Sequence, residues 1–524
     1  MNSSKTNIVL AVASVIVLGA VACFLFSSSY KANMEILPDN PLVLAKIEAG
    51  KLLKESEVLE NKYIKEKFDD ALDNLDDMPS DVQDKIREIF NDPDEAGIDL
   101  SSPVVFALYG EEEFVFSVPV SSKSKLVDML TVFLETNDYE LNETDDIYYI
   151  CDDDGERVKN MAFNSDVMII SYKRPAKYYF NHDGKKAVDN DKYDDFFDSD
   201  DELAVFVDGE SFVSEFKKYI MHEGIPSQII EVMEGASIFA GASLKGNTAV
   251  TSMKINLADD YEPFLECIEN GTGKHFEYMP KNSLAIANVI LNINEDVRKV
   301  LRQIPEYYDA MADALSTEYT VALLPSAACG KYLEEYPRFV AAADCSNDAF
   351  KLILELLKKQ TGFKENSDGT YSLGLNRDHL WGIDVEYSYT SGYDYVMKYA
   401  DGVLLVLPED IYRSEYADGK LKNNAGQNDL YDDNRGVALI VDDVRVMAWA
   451  EAASGQKIGD YKSKFFGHTF LEINTLGDIV LRHELIDPNV NPLKAAVDAA
   501  VDEMVNMEAQ RMKYMRDYGY EDNF

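Results

Sequence analysis

Apolar positions along this chain fall into two alternating rhythms. Ile64, Phe68, Leu72 and Leu75 lie at i, i+4, i+8 and i+11, the spacing of one helix face. Leu126, Met129, Leu130 and Phe133 form a similar stripe, which predicts a helix over 123–136. Between them, Val104–Tyr109 and Phe114–Val120 are short apolar runs around Gly110-Glu111-Glu112-Glu113, which predicts a hairpin. Extended runs at Leu42–Ile47, 147–151, 161–164 and 167–172 read as further strands. Beyond them, Leu203–Val207 reads as a strand and Phe212–Ile220 and Ser227–Met233 as helices. Ser237–Leu244 then turns through Lys245-Gly246-Asn247 into Ala249–Leu257, and Pro263 opens a short helix.

The order of elements then starts again. Glu35-Ile36-Leu37-Pro38-Asp39-Asn40, followed by Leu42-Val43-Leu44-Ala45, returns 242 residues later as Glu277-Tyr278-Met279-Pro280-Lys281-Asn282, followed by Leu284-Ala285-Ile286-Ala287. The stripe from Leu126 to Phe133 returns at offset 224 as Phe350, Ile353, Leu354 and Leu357. Asp166–Ile170 matches Asp401–Leu405 at offset 235, and Asp191-Lys192-Tyr193-Asp194-Asp195 matches Asp429-Leu430-Tyr431-Asp432-Asp433 at offset 238. Leu203–Asp208 corresponds to Val437–Asp442, and Thr469–Ile473, Gly477 and Ile479–Leu485 supply the late hairpin again. Pro492 opens a long last helix to about Arg516, whose Val497, Val501, Met504, Met512 and Met515 are expected to pack in a core or a module interface.

Short matches kept in one order predict a tandem duplication. Residues 35–270 form the first copy, with sub-units at about 35–175 and 200–270, and residues 277–510 form the second, with sub-units at about 277–408 and 435–510. Residues 1–34 are an anchor and tether and 511–524 a C-terminal tail. The expected fold class is α+β: antiparallel sheets with helices packed on one face, in the simplest version as ferredoxin-like halves.

The anchor rests on residues 8–26, IVLAVASVIVLGAVACFLF, an uncharged run close to the length that spans a hydrocarbon core. Lys5 before it keeps the N-terminus cytoplasmic and sends the body across. Two readings stand. Gly19-Ala20-Val21-Ala22-Cys23 can be a lipoprotein processing site with Cys23 as the lipid attachment residue, or the helix can be an uncleaved anchor. Either gives an envelope protein tethered to a membrane, with its body outside the cytoplasm.

Charge and composition narrow the partners. The chain has 524 residues with 50 Lys+Arg against 95 Asp+Glu, a formal net charge of −45 that repels nucleic acid. A hydrophobic fraction of 46% is ample for folded cores. Outside the anchor stand Cys151, Cys267, Cys329 and Cys345, too few for a disulfide framework and without any C-x-x-C spacing. Cys329 and Cys345 can face each other across a hairpin or be buried free thiols.

Candidate chemistry is sparse. The histidines, His182, His222, His275, His379, His468 and His483, form no H-E-x-x-H pair and read as surface or satisfied core residues. Neither a G-x-S-x-G elbow nor a phosphate-cradling glycine loop occurs. No catalytic residue, cofactor or metal site is expected. The acidic segments Asp152-Asp153-Asp154-Gly155 and Asp189–Glu202 depart from the EF-hand pattern. The shared D-x-Y-D-D reads as a tyrosine packed into a neighbouring sub-unit, with aspartates capping the next element. Trp381 and Trp449 stand in strand-like surroundings and are too few for a carbohydrate platform.

Ile36-Leu37-Pro38-Asp39-Asn40-Pro41-Leu42-Val43-Leu44, Lys51–Ser56 and Ala96-Gly97-Ile98-Asp99-Leu100 before the Val104 strand resemble an uncharacterised family of exported bacterial envelope lipoproteins of the Bacteroides type, described as a domain of unknown function. The resemblance implies an envelope location and lipidation at Cys23, and brings no catalytic residues with it. The function expected is that of a non-catalytic binding or scaffold protein with an envelope protein or glycan as partner. The alternatives are an exported hydrolase working through Asp/Glu carboxylates on glycan or peptide, and an acidic scaffold stabilised by calcium.

Overall fold

The computed structural model describes residues 32–75, 78–135, 139–152, 157–222, 227–258, 265–302, 309–325, 328–329, 332–333, 337–359, 362–373, 395–416, 436–454 and 467–517. Residues 8–26 with Cys23, the Pro263 turn, Asp153–Gly155, His379, Trp381 and Asp429–Asp433 lie outside them. Among the described residues, no helix is long and apolar enough to cross a membrane. The chain divides into two units, Met1–Ala258 with Asp487–Phe524, and Asp259–Ile486.

The first unit is built on one antiparallel sheet. Its strands are β1 (Val43–Ile47), β2 (Val104–Gly110), β3 (Glu113–Pro119), β4 (Tyr139–Thr144), β5 (Ile147–Asp152), β6 (Arg157–Phe163), β7 (Val167–Tyr172), β8 (Leu203–Asp208), β9 (Ser237–Lys245) and β10 (Thr248–Asn256). They lie in the order β4-β5-β6-β7-β3-β2-β1-β8-β9-β10. The two hairpins read from sequence, β2–β3 and β9–β10, are present, the second turning through Gly246 at a φ of 60° that a side chain disfavours. Because β1 pairs with β2 on one edge and β8 on the other, the two expected halves share a single sheet.

Helices α1 (Ala49–Ser56), α2 (Lys62–Asp73) and α3 (Ser80–Asn91) precede β2, α4 (Lys123–Glu135) follows β3, and α5 (Gly209–His222) and α6 (Ser227–Glu234) follow β8. Asn61 starts α2 by accepting hydrogen bonds from the Tyr63 and Ile64 amides at 3.1 and 3.3 Å. Its stripe runs out at Leu75, which lies beyond the helix end and is exposed.

Helical elements cover both faces of this sheet, where packing on one face was expected. One face carries Leu44, Val105, Ala107, Val115 and Phe206 beneath Tyr179, Tyr193 and Phe196 of short helical turns. The opposite face carries Val104, Val118 and Met168 beneath α3 and α4. The reason is that β2 and β3 are apolar at successive rather than alternate positions, so neither side can be left in water.

The second unit has strands β11 (Ala285–Leu291), β12 (Glu318–Leu324), β13 (Arg338–Asp344), β14 (Lys364–Glu365), β15 (Thr370–Ser372), β16 (Tyr395–Ala400), β17 (Val403–Pro408), β18 (Leu439–Asp442), β19 (Gly467–Thr475) and β20 (Asp478–Leu485). Helices α7 (Glu295–Leu301) and α8 (Asp309–Leu315) precede β12, α9 (Asn347–Leu357) follows β13 and α10 (Asp443–Ser454) follows β18. The strands lie in the order β14-β15-β16-β17-β13-β12-β11-β18-β19-β20. These nine pairings follow the order of the first unit, and the second unit adds Ile268–Asn270 antiparallel to Val289–Leu291 and a small hairpin of Ala328–Cys329 with Tyr332–Leu333. A buried row runs Phe239–Phe206–Leu44–Ala107 across one sheet and Phe470–Ile440–Ile286–Ala322 across the other.

The last helix, α11 (Pro492–Asp517), groups with the first unit, not with the second where the sequence pattern put it. It is pinned there by Asn491 to Glu55 at 3.3 Å, by a Lys494–Glu57 ion pair, and by Lys67–Glu508 at 2.9 Å. The helix continues past residue 511, so the expected tail is helical to Asp517. Its buried positions are Pro492, Ala495 and Ala499, while Met504, Met507 and Met512 are exposed, which corrects the expectation that its methionines pack in a core or a module interface. Trp449 lies in α10 and not in a strand.

Leu130 of α4 is buried, while Leu354 of α9, in the matching stripe, is only partly covered. Leu130→Ala is therefore expected to lower stability by about 2–5 kcal/mol, and Leu354→Ala by clearly less than that range. Urea unfolding of the two variants checks the difference.

Candidate functional site

Three places gather unusual chemistry. In the first unit, β1 ends in Lys46 and Ile47, Glu48 follows, and the turn into α1 brings Lys51 and Glu55 alongside Glu202, just before β8. Lys46 is buried, donates to the Ser199 carbonyl, and stands 5.5 Å from the centre of the Phe196 ring. Lys51 Nζ lies 3.8 Å from Glu48 Oε2 and 3.8 Å from Glu202 Oε1, while Glu202 Oε2 accepts from the Leu244 amide at 2.9 Å. Burial, aided by the neighbouring Glu202 and Asp200 charges, raises the Glu48 carboxyl above the ordinary carboxylate range against the pull of Lys51 and Lys46. Burial likewise raises Glu55 and lowers the Lys46 ammonium. Lys46 on Ser199 and Glu202 on Leu244 make the cluster a clamp that fastens the 199–202 turn to strands β1 and β9.

In the second unit His275 is buried, and neither ring nitrogen makes a well-formed hydrogen bond although Nε2 comes within 3.2 Å of Asp344 Oδ1. Burial lowers its pKa from 6.5, with Asp344 pulling the other way. Lys274 pairs with Asp344 and lies 3.5 Å from Glu318, whose Oε1 also accepts from the Gly273 amide at 3.0 Å. His275 stands alone in sequence, so its burial had no local signal.

The third place is an apolar cavity of about 280 Å³ beside that cluster. Its walls are Leu315 of α8, Tyr319 of β12, Ala343 of β13, Ile353 and Leu356 of α9, and Leu404 of β17, with Asp344 and Cys345 at one side. The row Val289–Tyr319–Ala343–Leu404 crosses this sheet as Ile47–Val104–Val118–Met168 crosses the first. In the first unit Val104, Val118 and Met168 of that row are closed into a core with Ile86 and Ile89 of α3 and with Ala96, Ile98 and Leu100, Ile98 joining the sheet as an antiparallel bridge to Val120. Gly97 allows this segment its close approach: at φ 71° its missing Cβ would fall 2.3 Å from the Leu126 amide nitrogen. In the second unit only Ser316 and Thr317 join α8 to β12, and among the described residues no counterpart of Asp92–Pro103 lies there. The helix above shows the effect: no residue of α9 is fully buried, although Phe350, Ile353, Leu354 and Leu357 face the core.

The remaining expectations resolve as follows. Tyr193 of the D-x-Y-D-D segment is buried edge-on against Phe206, 5.0 Å between ring centres, and Asp194 and Asp195 open the next short helix. Cys151, Cys267 and Cys345 are free thiols, and the Cys329 side chain lies outside the described residues. Among the described residues, no group of three or more His, Cys, Asp and Glu could hold a metal ion.

Two pH responses of opposite sign follow. Glu48 holds its proton to higher pH in the folded chain than in the unfolded one, so its contribution is complete in acid and lost as pH rises through the raised value. Glu48→Gln is expected to raise the first unit's melting temperature at pH 7 and to leave it unchanged near pH 4, where Glu48 is itself protonated. His275 contributes stability above about 6.5 that is lost as pH falls through its lowered value. His275→Phe is expected to flatten the acid limb of the second unit in thermal melts taken at stepped pH.

No family model matches the chain, and no curated protein matches it. Among solved structures, crystal form I of TP0453 is similar at 10% identity over 44% of this chain and 81% of that one, with a TM-score of 0.24. Crystal form III of TP0453 is similar at 11% identity over 43% of this chain and 80% of that one, with a TM-score of 0.23. At such TM-scores the likeness carries no argument about fold or function.

Proposed function

We propose that this is a non-catalytic binding protein of the cell envelope, tethered to a membrane by its N-terminal segment and built from two copies of one α+β module. The observation that carries the binding role is the unequal filling of two matched positions: aliphatic side chains occupy the first unit's, and the second unit's is an open apolar cavity. Nine pairings in the same order in each sheet support the duplication. The uncharged run 8–26 supports the tether, the resemblance to exported envelope lipoproteins supports the location, and Cys23 is the candidate lipid attachment site.

The competing reading, an exported hydrolase, draws on one feature, the raised Glu48 carboxyl near Glu202. Its polar neighbours are engaged in the clamp, which favours a structural role. Cleavage of any member of a glycan or peptide panel by the full chain, abolished by Glu48→Gln, replaces the binding reading with that one.

The tether is tested by fractionation of cells producing the full chain. The protein is expected with the membranes, and its body open to protease added to the outside of spheroplasts. Cys23→Ala is expected to block lipidation and processing, which intact mass reads directly. A Cys23→Ala protein that stays membrane-bound at unchanged mass assigns the tether to an uncleaved helix instead.

A further inference from the structure

Resting on the binding reading above, we infer that the cavity between α8, α9 and the sheet of the second unit, whose wall includes the exposed Leu315 and Leu356, takes an uncharged hydrocarbon group. The first unit itself shows what chemistry this space accepts. Val104, Val118 and Met168 of the matching row share one buried core with the aliphatic side chains of Ile86, Ile89, Ile98 and Leu100, and Ile98 bridges to Val120 at the sheet's end. At the equivalent row Val289–Tyr319–Ala343–Leu404 no such segment stands among the described residues, and a volume of about 280 Å³ remains. A dry apolar cavity of about 150 Å³ suffices for benzene, so this volume suits roughly eight to twelve carbon atoms.

The surroundings choose the head group. Leu315 and Leu356 are exposed at 43% and 40%, large apolar side chains of the wall left in water. The polar side of the wall is Asp344, already committed to Lys274, with Glu318 on the same lysine. An entering carboxylate therefore meets acidic neighbours and, among the described residues of the wall, no cation, inside a chain of net charge −45. A neutral head resting at the rim avoids both costs. A free alcohol-like molecule and the acyl chain of a bilayer lipid share this chemistry.

Cys345 reports on the site. It lines the cavity and is buried, while Cys151 and Cys267, which do not line it, serve as references. The full chain is placed in lipid nanodiscs, or in amphipathic polymer after lipid removal. Thiol labelling of each cysteine is followed by peptide mass mapping with 1-octanol or sodium octanoate. At ten times its dissociation constant, 1-octanol is expected to slow labelling of Cys345 by about tenfold against the references. Octanoate is expected to need at least about tenfold higher concentration for the same effect.

Labelling already slow in nanodiscs, and faster in polymer, assigns the occupant to a lipid chain; slowing by added alcohol alone assigns it to a free molecule. Ala343→Leu, which fills the cavity, is expected to abolish the alcohol effect and raise the second unit's melting temperature. If that variant does not fold, Leu356→Ser at the rim is read instead, with the half-effect concentration moved up roughly three- to tenfold. Equal slowing by octanoate and octanol overturns the uncharged assignment, and no slowing by either in both media overturns the site. A chain that fractionates with the envelope yet shows no slowing keeps the tethered body and loses this ligand.

Discussion

A sheet whose strands are apolar at successive positions has two faces to remove from water, and that need governs both units. On one face both units meet it alike. The row through Leu44 and the row through Ile286 are buried from end to end, and tyrosines and phenylalanines from chain segments outside the sheet close over them. The other face depends on how much chain is available between the helix before the second strand and that strand. Asp92–Pro103 gives the first unit a plug, and Ser316 with Thr317 gives the second none. A difference in connection length thus becomes a difference between a closed core and an open one, through close packing alone.

The charged groups are placed around this frame and do not organise it. Most ion pairs are exposed, where each contributes little. The exceptions sit at strand ends. Asp208 and Asp442 close β8 and β18, are buried, and accept from groups at the start of the following helix: the Ser211 hydroxyl at 2.7 Å and the Arg445 amide at 2.9 Å. Lys46 and Glu48 do comparable work at the end of β1. Burying them opposes their charge, so the clamp weakens in stability what it gains in fixing a turn to one place.

Much of this was legible in the residues. Leu44 and Ile286, 242 residues apart, pair in like manner with Phe206 and Ile440, which lie within Leu203–Asp208 and Val437–Asp442, each pairing within its own unit. One match was displaced. Pattern alone aligned Ile170 with Leu405, whereas in the sheets it is Ile169 that faces Ser117 as Leu405 faces Ala342. A slip of one residue sends a side chain to the opposite face, and apolar runs such as Val167–Ile170 give no periodicity by which to detect it. The α11 placement was missed for a similar reason: its pattern names an amphipathic helix, not the unit it packs on.

The cavity was illegible for a different reason, because it is defined by what a segment does not do. The segment Ala96-Gly97-Ile98-Asp99-Leu100 is visible in the sequence, but its meaning as a core plug needs Gly97 against Leu126 and Ile98 bridged to Val120 at the sheet's end. The absence of an equivalent motif in the second unit then carries physical content. Val104 and Met168 are enclosed by the plug, whereas Tyr319 and Leu404 keep part of their surface accessible at the same points of the pairing order. Tyrosine suits such a place, since its ring fills more of the gap than valine and its hydroxyl can donate to the Leu315 carbonyl at 2.9 Å. Part of the missing core is thus restored by one larger side chain, and the volume left over is what Ala343, smaller than the Val118 it stands in for, fails to fill.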